Sequence, residues 1–180
     1  MTEARSTDPA PLADPAGAPD AATAASTALP VPALEHFADL SVEVGPPHHV
    51  GAAPRGVRRM VPIVGGTVRG QGWRARVLPG GADFQLLLED GLSDLDARYT
   101  LETDAGDMVY VQNRALRCGP PAVMEKLARG EPVDPALVYF RCVPRFETAS
   151  VALGWINRRL FLGTGARHPD RVEMRFFVVR

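Results

Sequence analysis

From Leu34 to Val179 the chain is a succession of short alternating runs broken by glycine- and proline-rich turns, and that pattern leaves few folds open. Leu40–Val44 alternates apolar and polar side chains until Gly45-Pro46-Pro47 stops it. Val57–Val64 ends at Gly65-Gly66, and Thr67–Arg69 and Trp73–Leu78 are parted by Gly70 and Gly72, as at a bulge or sharp bend. Phe84–Glu89 follows, then Leu95–Thr103 and Met108–Leu116, joined through Asp104-Ala105-Gly106-Asp107 as a hairpin. Strands resume at Leu137–Glu147, Ala152–Gly163 and Val172–Val179. One helix interrupts the series over Pro121–Arg129: proline suits its first turn, Val123, Met124 and Leu127 share an apolar side, and Gly130 stands where a C-terminal cap belongs. A meander of this kind buries its edges by closing into a barrel or folding into a sandwich.

Residues 1–32 are different material. They hold ten alanines, six prolines and no aromatic residue, with Glu3, Asp8, Asp14 and Asp20 against one cation, Arg5. Such a segment has too little apolar surface to offset its ordering entropy, so a disordered acidic Ala/Pro-rich tail is expected, followed by one barrel domain over 34–180. The tail lacks the positive n-region and unbroken apolar stretch of a signal peptide. The formal net charge of -1 gives no electrostatic footprint for nucleic acid, and no apolar run approaches the roughly 20 residues of a membrane helix. Cys118 and Cys142 are too few for a disulfide scaffold and lack zinc-type spacing, so both are expected as reduced thiols in a cytoplasmic protein.

The polar residues inside strand-like runs are the candidates for chemistry. Asp83 follows a Pro-Gly-Gly turn, where an aspartate often does no more than bond local backbone amides. Asp94, Asp96 and Arg98 share one strand face, as do Tyr110, Gln112 and Arg114; each set reads equally well as a solvated outer wall. Arg141, Arg145 and Glu147 share another, and Trp155, Asn157 and Arg159 mix a large ring, an amide and a cation on the run after it. Such a mixture suits a pocket that stacks a ring and fixes its polar substituents. His36, His48, His49 and His168 have no second ligand at metal-binding spacing, and neither a phosphate loop nor a dinucleotide fingerprint is present, so no metal and no cofactor are expected.

Several strings resemble the DUF3237 or UPF0311 family of small bacterial proteins. They are Leu78-Pro79-Gly80-Gly81-Ala82-Asp83, Asp96-Ala97-Arg98-Tyr99-Thr100, Thr103-Asp104 with Gly106, Tyr139-Phe140-Arg141, Pro144-Arg145-Phe146-Glu147-Thr148 and Trp155-Ile156-Asn157-Arg158. The resemblance spans about residues 34–180 in the right order. It implies an all-β fold, a single antiparallel β-barrel of eight to ten strands with one short α-helix packed outside it. No broadly assigned activity comes with the family.

The functional expectation is a barrel that binds a small aromatic or carbonyl metabolite and, if it is an enzyme, runs isomerase, cyclase or lyase chemistry by proton transfer. In that scheme Glu147 and Asp96 serve as acid and base, Arg98 and Arg141 hold an enolate or carboxylate, Tyr110 and Asn157 donate hydrogen bonds, and Trp155 stacks on the ligand. Arg98, Tyr110, Arg141, Glu147, Trp155 and Asn157 are expected to converge in one cavity. The alternative is a non-catalytic ligand carrier, or a barrel that self-associates into a homo-oligomer through one outer face. Charges that face inward favour the first reading and charges that face outward the second. A chain lacking residues 1–32 is expected to melt at nearly the same temperature as the full chain; thermal unfolding of the two side by side checks this.

Overall fold

The period-two alternation along the chain is that of strands with one face turned to a closed interior. In the computed structural model, which describes residues 29–89 and 91–180, those strands are β1 (Leu34–Val44), β2 (His48–Ala53), β3 (Gly56–Gly70), β4 (Arg74–Val77), β5 (Gly81–Leu87), β6 (Ser93–Thr103), β7 (Met108–Cys118), β8 (Tyr139–Thr148), β9 (Phe161–Arg167) and β10 (Arg171–Val179). All neighbours are antiparallel, in the order β1-β10-β9-β8-β7-β6. Strands β4 and β5 then lie end to end in one slot, each bonded to both β6 and β3. Strand β3 returns to β1, which closes an eight-stranded barrel with two extra strands. The tail expected over 1–32 falls, for residues 1–28, outside the described residues, as does Asp90.

Closure depends on β3 being paired along both of its edges, with β5 and β4 on one and β1 on the other. Its first half, Val57–Ile63, pairs with β5, and its second half, Gly65–Gly70, pairs with β1. The ladder between β1 and β3 carries a bulge where Glu43 opposes Gly65 but Val44 opposes Ile63. Gly66 sits beside this bulge with φ 136°, and a Cβ there would run into the Ser41 carbonyl oxygen. Only glycine meets both demands without strain.

The interior is divided along its length. Phe37, Phe146, Phe161 and Phe176 fill one part as a packed aromatic cluster, with Phe37–Phe161 and Phe146–Phe161 centroids each 4.8 Å apart. Leu101, Val109, Val111 and Val178 pack around them, fully buried. The other part is lined by smaller and more polar side chains and is not filled.

The helix α1 (Pro121–Ala128) lies where the sequence predicts it, one residue shorter at its C-terminal end. Leu127 is its buried residue, and Gly130, at φ 75°, donates to the Leu127 carbonyl just past the cap. No helix among the described residues is long and apolar enough to cross a membrane.

Two strand expectations are corrected. Residues 152–160 are not a strand: Gly154–Arg158 is a 3-10 turn, and β9 begins only at Phe161 and runs on to Arg167. The turn wins because it buries Leu153 and Ile156 together, and because Asn157 clips it to the end of β8. The Asn157 amide accepts from Thr148 N–H at 2.9 Å and donates to Thr148 C=O at 2.8 Å. Strand β2 was not foreseen, since Gly51-Ala52-Ala53 carries little β-propensity; it forms as a hairpin extension of the long β3.

Replacing Gly66 by alanine is expected to destabilise the fold by about 1–3 kcal/mol, the usual cost of a side chain held in a glycine-only conformation. The same change at Gly72, whose Cβ would meet open space, should cost less. Urea unfolding of the two variants tests the difference.

Candidate functional site: a polar chamber inside the barrel

Strand pairing aligns side chains in rows across the inner wall. One row runs Val61, Asp83, Ala97, Asn113; the next runs Arg59, Gln85, Leu95, Ala115. In each row an alanine stands among larger residues, and the space left by those two short side chains opens a cavity of about 280 Å³. Val42, Ile63, Phe140, Val172 and Met174 supply apolar wall. The exposed loops Gly45–Pro47 and Pro169–Asp170 form its rim.

Into this apolar chamber project several polar groups. The Asp83 carboxylate accepts from Gln85 Nε2 at 2.5 Å, and Gln85 Oε1 in turn accepts from Arg59 Nε at 2.7 Å. Gln85 thus relays a cation on β3 to an acid on β5, through its amide oxygen and one amide N–H. Asn113 donates to the Met174 sulfur at 3.3 Å. Arg117 lies with its guanidinium 5.7 Å from the centre of the Phe140 ring. Arg167 donates to the carbonyl of Leu127 at 2.6 Å, an oxygen that also accepts from Gly130 N–H, at the end of α1 where the helix dipole favours a cation. Arg59, Arg117 and Arg167 also border a smaller recess under Met124 and Leu127, so they sit on the α1 side of the chamber.

Four polar atoms lining this cavity are buried with no hydrogen-bond partner: Asp83 Oδ1, Tyr99 Oη, Asn113 Oδ1 and Arg117 Nε. Leaving a buried donor or acceptor unpaired costs about 1–3 kcal/mol each, so folded proteins keep such atoms few, and here four surround one space. Tyr99, Asn113 and Arg117 are each no more than 4% exposed, so bulk water does not satisfy them.

Burial also governs the titration of these groups. It raises the Asp83 carboxyl above its ordinary value, against the opposing pull of the Gln85 hydrogen bond and the Arg117 and Arg59 charges. The Tyr99 hydroxyl is likewise pushed up by burial. Arg117 is lowered to about 10, first by burial and then by repulsion from Arg167 and Arg59. The Cys142 thiol, buried behind the chamber, is pushed up to about 12 and stays protonated and unreactive at neutral pH. Cys118 and Cys142 are both free.

The residues expected to converge in one cavity do not do so, and the reason is strand parity. Asp96, Arg98, Tyr110, Arg141 and Glu147 sit on the outer wall, because their neighbours Ala97, Tyr99, Val109, Val111, Phe140 and Phe146 take the inward positions. On that wall they make surface contacts. Arg98 pairs with Asp96 at 3.0 Å, and Gln112 donates to Asp96 at 3.3 Å. Burial would raise the Asp96 carboxyl, but the hydrogen bonds from Arg98 and Gln112 outweigh it and hold it below its usual range. Tyr110 and Glu147 oppose one another across β7 and β8, while Arg141 lies over the Tyr139 ring at 5.2 Å. Trp155 packs on Phe37 in the aromatic half, and Asn157 is the backbone clip described above. Of the clusters singled out in the sequence, only the one at Asp83 reaches the chamber.

Arg59, Gln85, Tyr99, Asn113, Arg117 and Arg167 were missed. A signal for three of them was present: Val109, Val111, Asn113, Ala115 and Arg117 alternate in phase on β7, as Val57, Arg59, Val61 and Ile63 do on β3, which puts an amide and two guanidiniums on the core face. Among the described residues no three histidine, cysteine, aspartate or glutamate side chains gather as metal ligands.

A closed antiparallel barrel with a polar chamber in one half is therefore the class of protein that this sequence makes. The chain belongs to the DUF3237 family, described as protein of unknown function, whose model matches residues 32–179. It is 47% identical over 133 residues to a UPF0311 protein of Rhodopseudomonas palustris, covering 74% of this chain and 87% of the relative. A crystal structure of a conserved protein of unknown function from the same species superposes with a TM-score of 0.82 at 43% identity, over 84% of this chain and all of that one. An enzyme from Penicillium herquei shares the fold at a TM-score of 0.64 and 17% identity, over 86% of this chain and 99% of that one.

Because ionised Asp83 is the costlier form inside the fold, the folded chain holds this proton to higher pH than the unfolded chain does. Stability from this group is therefore lost as pH rises from the ordinary carboxyl value, about 3.9, through the raised folded value. Asp83→Asn is expected to flatten that part of the profile, so that the variant gains on the wild type as pH climbs. Urea unfolding at steps between about pH 4 and pH 8 reads this directly.

Proposed function

We propose that the chamber binds a small planar carbonyl or phenolic metabolite, and that Asp83 moves a proton on it in an isomerase-, cyclase- or lyase-type reaction. The observation that carries this reading is the set of unpartnered polar atoms around the cavity. Their arrangement matches what a carbonyl compound needs when it loses or gains a proton. Tyr99 Oη is a donor for an oxygen that develops negative charge, and its raised pKa keeps that proton in place. Asn113 Oδ1 accepts from a hydroxyl or an enol on the ligand. Asp83 Oδ1 is the free oxygen of an acid whose other oxygen is held by Gln85, so its direction is fixed while one lone pair remains available.

The environment of Asp83 suits acid–base work. A carboxyl raised by burial is a stronger base than a surface aspartate and exists in both protonation states nearer to neutrality. The Gln85–Arg59 chain behind it limits how far the shift goes and fixes the carboxylate plane. The apolar wall excludes water from the reacting atoms, which strengthens each of these contacts.

A thermal-shift screen of the full chain against phenolic acids, quinones and keto acids is the test. Stabilisation by such compounds is expected, since a ligand that binds only the native state raises its stability by mass action. Tyr99→Phe should weaken the binding of a hit about tenfold, as loss of one buried hydrogen bond does. For a hit with a proton next to a carbonyl, NMR in deuterated water should show exchange that Asp83→Asn slows by at least about 100-fold. Binding without any exchange would leave a ligand carrier, and hits indifferent to both substitutions would place the ligand elsewhere.

A further inference from the structure

We infer that Arg59, Arg117 and Arg167 form a carboxylate-docking subsite inside the barrel, so that the ligand of the chamber is a small ring-bearing acid rather than a neutral compound. The inference rests on the reading of the chamber as a ligand site and narrows its substrate class.

Three guanidinium groups reach one cavity from strands that are far apart in sequence, β3, β7 and β9. No carboxylate among the described residues forms an ion pair with any of them. Arginines 98, 114, 175 and 180 on the outer wall, by contrast, each pair with a surface acid. Of the inward three, Arg59 uses its Nε–H on the Gln85 amide and Arg167 one N–H on a helix carbonyl. Arg117 Nε has no partner although the residue is only 4% exposed. A guanidinium carries five N–H donors, so most of the fork of each remains available to an anion.

The charge balance points the same way. Among the described residues Asp83 is the one acid that faces these cations from within the chamber, and burial opposes its ionisation. The rim acid Asp170 is turned to Arg171 at 3.2 Å. The cations therefore repel one another with only the Asp83 charge to offset them, and that repulsion is part of what lowers Arg117. A bound carboxylate relieves that repulsion and matches the planar fork in shape, through two parallel N–H···O bonds of the charge-assisted kind. The rest of the ligand is set by the wall. With about 280 Å³ to fill and Val61, Ile63, Leu95, Val172 and Phe140 around it, the space suits a ring attached to the acid more than a bare hydrophilic anion.

Isothermal titration of the full chain with benzoate, its neutral analogue benzamide and inorganic phosphate tests the subsite. Benzoate is expected to bind at least about tenfold more tightly than benzamide, a charge-assisted hydrogen bond's worth. The preference should vanish in Arg117→Gln, partly survive in Arg117→Lys, and remain unchanged in Arg141→Gln on the outer wall. Should Arg117→Gln fail to fold, Arg167→Gln serves in its place. Benzamide binding as tightly as benzoate overturns the subsite while leaving the chamber as a ligand site. Phosphate binding more tightly than benzoate overturns the carboxylate class. A benzoate preference that persists in both arginine variants overturns the assignment to these residues. Absence of binding by both ring compounds at millimolar concentration overturns the subsite and the chamber together.

Discussion

The pairing of β1 with the second half of β3 is the contact on which the rest of the molecule depends. Without it the sheet is an open ribbon in which β1 and β3 present unpaired edges and no side chain is inside anything. With it, every strand acquires an inner and an outer wall, and the alternation written in the sequence becomes a division between chamber and solvent. The closure is made by backbone, at a place where Gly65 and Gly66 remove the side chains that would hold the two strands apart. A chain of modest size thereby encloses a space without spending helices to cover it.

The enclosed space is used unevenly. The aromatic cluster of Phe37, Phe146, Phe161 and Phe176 supplies cohesion, burying large rings where dispersion and area burial contribute most. That leaves the other half free to carry groups that weaken a fold: an acid shifted by burial, three mutually repelling cations, and polar atoms without partners. Packing at one end tolerates the cost of polarity at the other. The division also places the loops of the open rim far along the wall from Trp155 and the 3-10 turn, which belong to the packed end.

Much of the architecture was legible in the sequence, because turn glycines and alternation report strand boundaries directly. The helix at Pro121 and the hairpin at Asp104–Asp107 follow from local chemistry alone. The run from Ala152 to Gly163 misled because its alternation is compatible with a strand, whereas the actual turn is held by Asn157 bonding to Thr148, a contact between segments that composition does not announce. The site was legible in part. Alternation says that two residues share a face but not which face is inside, and one wrong choice of parity turns a whole wall. Asp96, Arg98, Arg141 and Glu147 looked like chemistry because they are charged; Asn113 and Arg117 escaped notice although they are in phase with Val109 and Val111. On a strand, a polar residue in register with the core carries more information than a charged residue out of register. Arg59 carried the same signal, in phase with Val57, Val61 and Ile63, whereas Arg167 ends a glycine-broken run that gave none.

The alanines at 97 and 115 have a consequence of their own. Ala97 stands between Asp83 and Asn113 in its row, Ala115 lies between Asn113 and Arg117 on the inner face of β7, and neither side chain bears on strand pairing or on barrel closure. The outline of the hollow is thus decoupled from the architecture that surrounds it. A lineage could reshape what fits inside by exchanging these two positions for valine, serine or threonine, one methyl or hydroxyl at a time, while the acid, the amide and the guanidiniums kept their places. In such a scaffold selectivity can drift quickly and chemistry slowly.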